Sequence, residues 1–231
     1  RSGSGDLKHG ALLPRWGRED LLLLWVADMD FETPSFITDA LKARLEHSLF
    51  GYTVEPEDFM PSVIDWIHDH HQWDVKREWI KFIPGIVKGI GLVVNVFTNP
   101  DEKVIIQPPV YHPFRLTPEG NGREVVFNPL KMRDDGYYDM DFENLEKVCD
   151  EKCKVFILCN PHNPAGRVWK KEELERMNDI CMKHGVKVIA DEIHCELVMP
   201  GYHYTPFASI SEACRDNSVT LNSPTKAFNI A

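Results

Sequence analysis

Three short runs constrain this chain more than anything else in it: KVIIQ (residues 103–107), KVFILC (154–159) and VKVIA (186–190). Each is apolar at consecutive rather than alternate positions. A strand with one wet face alternates, whereas a strand covered on both faces does not. EWIKFI (78–83), REVVF (123–127) and SVTLN (218–222) read as further strands. Helical segments are expected between the strands, at GIVKGIGLVVNVF (85–97), YHPFRLTPEG (111–120), DFENLEKVCD (141–150) and KKEELERMNDICMKHG (170–185). Strand, helix, strand, repeated, predicts an α/β domain around a mostly parallel sheet.

The region before residue 79 is of another kind. TPSFITDALKARLEHSL (33–49) predicts a helix with Thr33 as its N-cap and Pro34 in the first helical position. Phe36, Ile37, Ala40, Leu41 and Leu45 then follow helical spacing. PEDFMPSVIDWIHDHH (56–71) predicts a second helix, bent near Pro61. RSGSG (1–5) reads as a flexible arm. The chain therefore divides into an N-terminal arm and the start of a small-domain segment (1–30), a helical segment packed outside the sheet (31–78) and a large domain (79–231).

A formal charge of −10 argues against a nucleic-acid partner and against an anionic membrane surface. The longest apolar stretch, IGLVVNVF (90–97), is too short to span a bilayer. Six scattered cysteines form no CxxC pair, which points to reduced thiols and a cytoplasmic location. HDHH (68–71) invites a metal reading, yet clustered histidines on an acidic helix are usually solvated, and no metal is assigned.

In open α/β sheets, ligands bind beyond the carboxyl ends of the strands. The residues that follow each expected strand are Pro84-Gly85, then Pro108-Pro109-Val110-Tyr111, then NPHNPAG (160–166) with Asn160 and Asn163, then Asp191-Glu192-Ile193-His194, and last Ser223 with Lys226. Taken singly, each has an ordinary explanation. Gly85 permits a tight turn, Tyr111 suits a core, NPHNPAG suits a loop, Asp191 could cap the next segment and Lys226 could be a solvated lysine. Together they place a helix N-terminus for an anion, an aromatic plate, an amide, an acid and an amine on one rim. An amine for a Schiff base and a carboxylate for a pyridinium ring are the paired demands of pyridoxal phosphate chemistry.

The sequence resembles the fold-type I pyridoxal-phosphate enzymes, and within them the MalY/PatB-type C–S lyases (cystathionine β-lyase-like), often grouped with class I/II aminotransferases. The matching stretches are LWVADMDFETP, FGYT, IPGIVKGI, VIIQPPVYHPF, YYDMDFENLE, ILCNPHNPAGRVWKKEEL, ADEIHCEL and NSPTKAFNIA, in order across nearly the whole chain. Lys88 departs from the pattern, standing where these lyases usually show proline.

The resemblance implies a three-layer large domain whose last strands, with most of the small domain, come after residue 231. It implies that Lys226 holds the cofactor and shuttles protons, that Asp191 pairs with the ring nitrogen, and that Asn163 donates to the ring hydroxyl oxygen. Tyr111 would stack on the ring. Ser223, with Gly85 and the Ile86 and Val87 amides, would hold the phosphate. His194 stands where many aminotransferases carry a tyrosine, and Ala27 and Asp28 would lie near the substrate. Tyr52 would reach the phosphate in a neighbouring subunit, implying a homodimer. The expected activity is α,β-elimination from sulfur-bearing L-amino acids, with an aminotransferase as the alternative and a regulatory protein partner as a third possibility. These 231 residues alone are expected to be inactive and prone to aggregate.

Overall fold

The computed structural model describes residues 4–231. They gather into two units, one running from the N-terminal segment through Phe50 together with Pro224–Ala231, the other comprising Gly51–Ser223. Residues 1–3 of the expected arm lie outside the described residues.

Among the described residues, the first unit holds three helices: α1 (Leu7–Gly10), α2 (Leu12–Trp16) and α3 (Ser35–Glu46). Asp6 caps α1 by accepting the His9 N–H at 3.0 Å, and α2 stops at Gly17, which is left-handed at φ 67°. The start of α3 differs from expectation. Pro34 occupies the N-cap position and no side chain caps the helix. The Thr33 hydroxyl instead donates to the Asn229 carbonyl at 3.0 Å, a tertiary acceptor that competes with the cap. No residue of α3 is buried, and its apolar row is open, with Phe36 66% and Leu45 62% exposed.

The second unit begins with α4 (Phe59–His71). Pro61 falls in the first turn, where its missing N–H has no intrahelical acceptor to lose. A short 3-10 turn follows at Arg77–Trp79, and then α5 (Ile86–Phe97), β1 (Lys103–Ile106), α6 (Pro113–Gly120) and β2 (Glu124–Phe127). A two-residue hairpin absent from the sequence reading, β3 (Lys131–Met132) with β4 (Tyr138–Asp139), leads into α7 (Phe142–Val148). The remaining elements are β5 (Cys153–Cys159), α8 (Lys171–Lys183), β6 (Lys187–Asp191), α9 (Glu212–Asp216) and β7 (Ser218–Leu221).

Five strands form one sheet in the order β2-β1-β5-β6-β7, and every pairing is parallel. Alternation along the strands splits the core into two layers. Val104, Ile106, Val155, Ile157 and Ile189 face Ile90 and Val94 of α5 and Phe114 of α6. Ile105, Phe156, Leu158 and Val188 face Leu145 of α7 and Leu174, Met177 and Cys181 of α8. Both faces are covered, which is why the strands read as unbroken apolar runs. All six cysteines are free and buried. Burial pushes the Cys149 and Cys195 thiols up to about 12.

The strand expected at residues 78–83 does not form. A strand needs a neighbour, and among the described residues β7 pairs with β6 alone. A cavity of about 610 Å³ is lined by Val75, Ile80 and Ile83 together with Val219 and Leu221 of β7 and Glu192, among others. The 78–83 run thus has apolar composition but no ladder.

Phe156 is fully buried between β5 and the α7–α8 layer, whereas Phe82 is 77% exposed. Phe156→Ala is expected to cost about 3–5 kcal/mol in denaturant unfolding, and Phe82→Ala less than about 0.5 kcal/mol.

Candidate active site

The strand order creates one topological switch point. From β1 the chain goes to β2 on one side, and β5 then lands on the other side of β1. Beyond the carboxyl ends of such a pair lies the crevice of an open α/β sheet. Here the two bordering loops are joined. The Tyr111 N–H donates to the Asn163 carbonyl at 3.1 Å, and Val110 forms a bridge with Pro164. Tyr111 is also held from its other side, its carbonyl accepting the Phe114 N–H at 2.9 Å as α6 begins. Its ring stays 38% exposed.

The Asn160–Gly166 loop is a built turn. Its His162 N–H donates to the Arg167 carbonyl at 2.7 Å, and the His162 ring stands edge-on to Trp169 with centroids 5.7 Å apart. Burial pushes the His162 imidazole down to about 4, so it is neutral at physiological pH.

The ends of β5, β6 and β7 are locked together by backbone bonds. Asn160 N–H donates to the Asp191 carbonyl at 3.0 Å, and Glu192 N–H donates to the Leu221 carbonyl at 2.9 Å. Asp191 therefore stands on the same rim as Asn163. Ser223 follows two residues after Leu221, and His194 lies in the turn after β6, its carbonyl accepting the Leu197 N–H.

Two adjacent acids at this rim have different surroundings. Asp191 is 5% exposed, and its Oδ1 accepts the Ile193 N–H at 3.2 Å. Desolvation pushes its carboxyl up to about 6, against the pull of that N–H. A buried carboxylate with so little compensation is a ready partner for a cationic N–H. Glu192 is pushed up to about 7 by burial, but it is well bonded: Tyr204 Oη at 2.5 Å, Phe207 N–H at 2.8 Å and Asn160 Nδ2 at 3.4 Å.

Gly85 precedes α5 with φ 108° and ψ 148°, a conformation open essentially to glycine. No side chain caps that helix, so the Ile86 and Val87 N–H groups are available to an anion. Ile86 anchors the turn in the same core layer as Ile189 and Leu221.

Lys226 belongs to the first unit, three residues along the chain from Ser223. Its Nζ donates to the Ala27 carbonyl at 3.1 Å. Asp28, beside it, uses its carbonyl to accept Lys8 Nζ at 2.8 Å. Tyr52, in the second unit, is fully exposed. The HDHH histidines go to separate partners. His68 meets Asp74 at 2.7 Å, His70 stacks on Trp66 at 3.8 Å, and His71 meets Glu196 at 2.8 Å. The donor atoms of His71, Cys195 and Glu196 lie within 4.8 Å of one another, but Glu196 Oε1 already accepts from both Trp66 and His71.

Sequence reasoning gave no role to Glu192 or Asn229. Two successive acids ending an apolar strand were a signal for Glu192, since one of them had to be buried and bonded. Asn229, whose amide bonds are to backbone some 200 residues away, left no local pattern.

A family model described as aminotransferase class I and II matches residues 19–231. The chain is 46% identical over 232 residues to cystathionine β-lyase PatB of Bacillus subtilis (strain 168), a match covering 100% of this chain and 60% of PatB. It is 33% identical over 232 residues to protein MalY of Escherichia coli (strain K12), covering 100% of this chain and 58% of MalY. Among solved structures, cystalysin from Treponema denticola, which contains a pyridoxal 5'-phosphate cofactor, superposes with a TM-score of 0.94 at 39% identity, covering 100% of this chain and 59% of cystalysin. The chain thus spans about 60% of the length of such relatives.

The raised Asp191 carboxyl gives a signed pH effect. In the cofactor-free protein the folded state keeps a proton that the unfolded state has lost, so stability falls as pH rises from about 4 through about 6. Asp191→Asn removes that penalty while Glu192 retains its own. Thermal melts should show Asp191→Asn more stable than the parent at pH 8, by about 2–3 kcal/mol at most, and by about half as much at pH 5.

Proposed function

The chain belongs to the aminotransferase class I and II family, and we propose that the protein is a pyridoxal-phosphate-dependent carbon–sulfur β-lyase of the cytoplasm. Its substrates on this reading are L-amino acids with sulfur at Cβ, of which cystathionine is the model. The observation that carries the cofactor assignment is Asp191, a buried carboxyl at the end of a central strand, pushed up to about 6 by desolvation and so suited to a cationic partner. A protonated pyridine nitrogen supplies that partner. The free N-terminus of α5 after Gly85 suits a phosphate, and the exposed ring of Tyr111 offers a stacking face. Identity of 46% to PatB across the entire chain favours the lyase over the transaminase.

Pyridoxal phosphate, when bound, supplies the electron sink that makes a Cα carbanion accessible. The protein supplies the remainder. Asp191 would keep the ring nitrogen protonated, Asn163 would donate to the ring hydroxyl oxygen, and Tyr111 would stack on the ring. Ser223 and the Ile86 and Val87 amides would bind the phosphate, and His194, in the turn after β6, would contribute to the same cofactor site. Lys226 Nζ would hold the cofactor, and its amine would be the base that takes the Cα proton. The net change on this reading takes up one water and releases the sulfur from Cβ as a thiol, with pyruvate and ammonium as the other products.

A homodimer with shared sites belongs to the same proposal. Tyr52 is fully exposed on its own chain, as a residue serving a neighbouring subunit would be, and the open apolar row of α3 suits burial by a second copy.

The full-length protein, incubated with pyridoxal phosphate and L-cystathionine but no keto acid, is expected to release pyruvate and free thiol together over many turnovers. Lys226→Ala should bring both to background. Product formation only after a keto acid is added would replace the lyase with an aminotransferase. Shared sites have their own signature. Co-refolding Lys226→Ala with Tyr52→Ala should restore about a quarter of the parental activity, since half the dimers are mixed and each mixed dimer regains one site of two. No restoration would remove Tyr52 from the neighbouring site.

A further inference from the structure

Within the first unit, residues 26–31 (VADMDF) are stitched to the segment that carries Lys226. Asn229 makes most of the stitches. Its Oδ1 accepts the Met29 N–H at 3.1 Å, and its Nδ2 donates to the Met29 carbonyl at 3.3 Å and the Phe31 carbonyl at 3.1 Å. Its own carbonyl accepts the Thr33 hydroxyl. Asn229 sits at φ 53°, a left-handed conformation that asparagine tolerates better than other residues with a β-carbon.

The far side of the loop is held as firmly. Lys8, only 5% exposed, donates to the Asp28 carbonyl and to Asp30 Oδ2, each at 2.8 Å. Val26 is left-handed at φ 59°, a costly state for a β-branched residue. The Asp28 N–H closes a tight turn by donating to the Val26 carbonyl at 2.8 Å. The strained turn presents the Ala27 carbonyl to Lys226 Nζ at 3.1 Å.

We infer that Asn229 is a positioning residue for Lys226: by tying Met29 and Phe31 in place, its side-chain amide fixes the Ala27 carbonyl as the resting acceptor for the lysine amine. The inference rests on the reading of Lys226 as the cofactor-bearing lysine. An amine on a flexible four-carbon stem has many places to go once it is released. A fixed carbonyl accepts a hydrogen bond from one of its N–H groups, limits that search, and leaves the nitrogen lone pair free to accept a proton. After the proton is taken, the same carbonyl accepts from the ammonium. Asn229 itself touches neither substrate nor cofactor in this scheme, and acts only through the loop.

The test uses the full-length protein and separates positioning from folding. Asn229→Gly keeps the left-handed backbone and removes the amide, while Asn229→Asp keeps the acceptor for Met29 N–H and loses both donors. In the cofactor-free protein, hydrogen exchange over residues 26–31 should quicken about 10-fold or more in Asn229→Gly. In the loaded protein, exchange of the Cα proton of L-alanine in heavy water, which needs Lys226 but no leaving group, should slow by about 10–100-fold. Cofactor affinity should stay within about 3-fold, and Asn229→Asp should fall between Asn229→Gly and the parent.

A looser loop with unchanged Cα exchange would overturn the inference, and so would a loop that does not loosen. If Asn229→Gly fails to fold, Asn229→Asp is read against the same two outcomes. Lys226→Ala decides the underlying reading separately. If that variant still binds the cofactor covalently and exchanges the Cα proton, the lysine assignment fails whatever Asn229 does.

Discussion

Register is the constraint on which the second unit depends. In the pairings of β6 with its neighbours, Cys159, Asp191 and Leu221 stand side by side as the last residues of three parallel strands. Asp191 shares the face of Ile189, which packs toward α5, and Glu192 continues the face of Ala190 toward the other layer. A slip of one residue would exchange the two acids between the layers. Glu192 would then lose Tyr204 and Phe207, and Asp191 would be placed among groups built for a longer side chain. Packing on both faces of β5 and β6 opposes the slip, because every core side chain would have to move with it.

That dependence explains what could be read in advance. The buried strands and the helices covering them were legible because burial on both faces leaves an unbroken apolar run, and the rim residues were legible because each directly follows such a run. Residues 78–83 carry a similar composition and form no strand, since pairing is a property of the neighbour and not of the run. The β3–β4 hairpin has only two residues per strand, too few to show a period. Thr33 had the right chemistry for an N-cap and a better acceptor in Asn229. The opposite behaviour of Asp191 and Glu192, one poorly compensated and the other fully bonded, depends on Tyr204 and Phe207, which no local pattern links to the strand end.

The two units use polar groups in different ways. In the second, buried polar side chains mostly close strand ends and loops, as Asn217 does by bonding the Val186 carbonyl at 3.0 Å and Asn178 at 3.2 Å. In the first, there are few buried apolar side chains, and side-chain amides and amines hold backbone directly. Left-handed φ at Asn229 is tolerated there because several hydrogen bonds over-determine its position.

The six buried cysteines have a consequence for how the molecule meets its chemical surroundings. Thiol reactivity belongs to the thiolate, and a group held near 12, as Cys149 and Cys195 are, is ionised in only about one molecule in 10⁵ at neutral pH. Electrophiles and disulfides in solution would find abundant sulfur in this chain and almost no nucleophile. Alkylating reagents should therefore report its unfolding and leave the native protein nearly untouched, which makes the cysteines internal markers of an intact core.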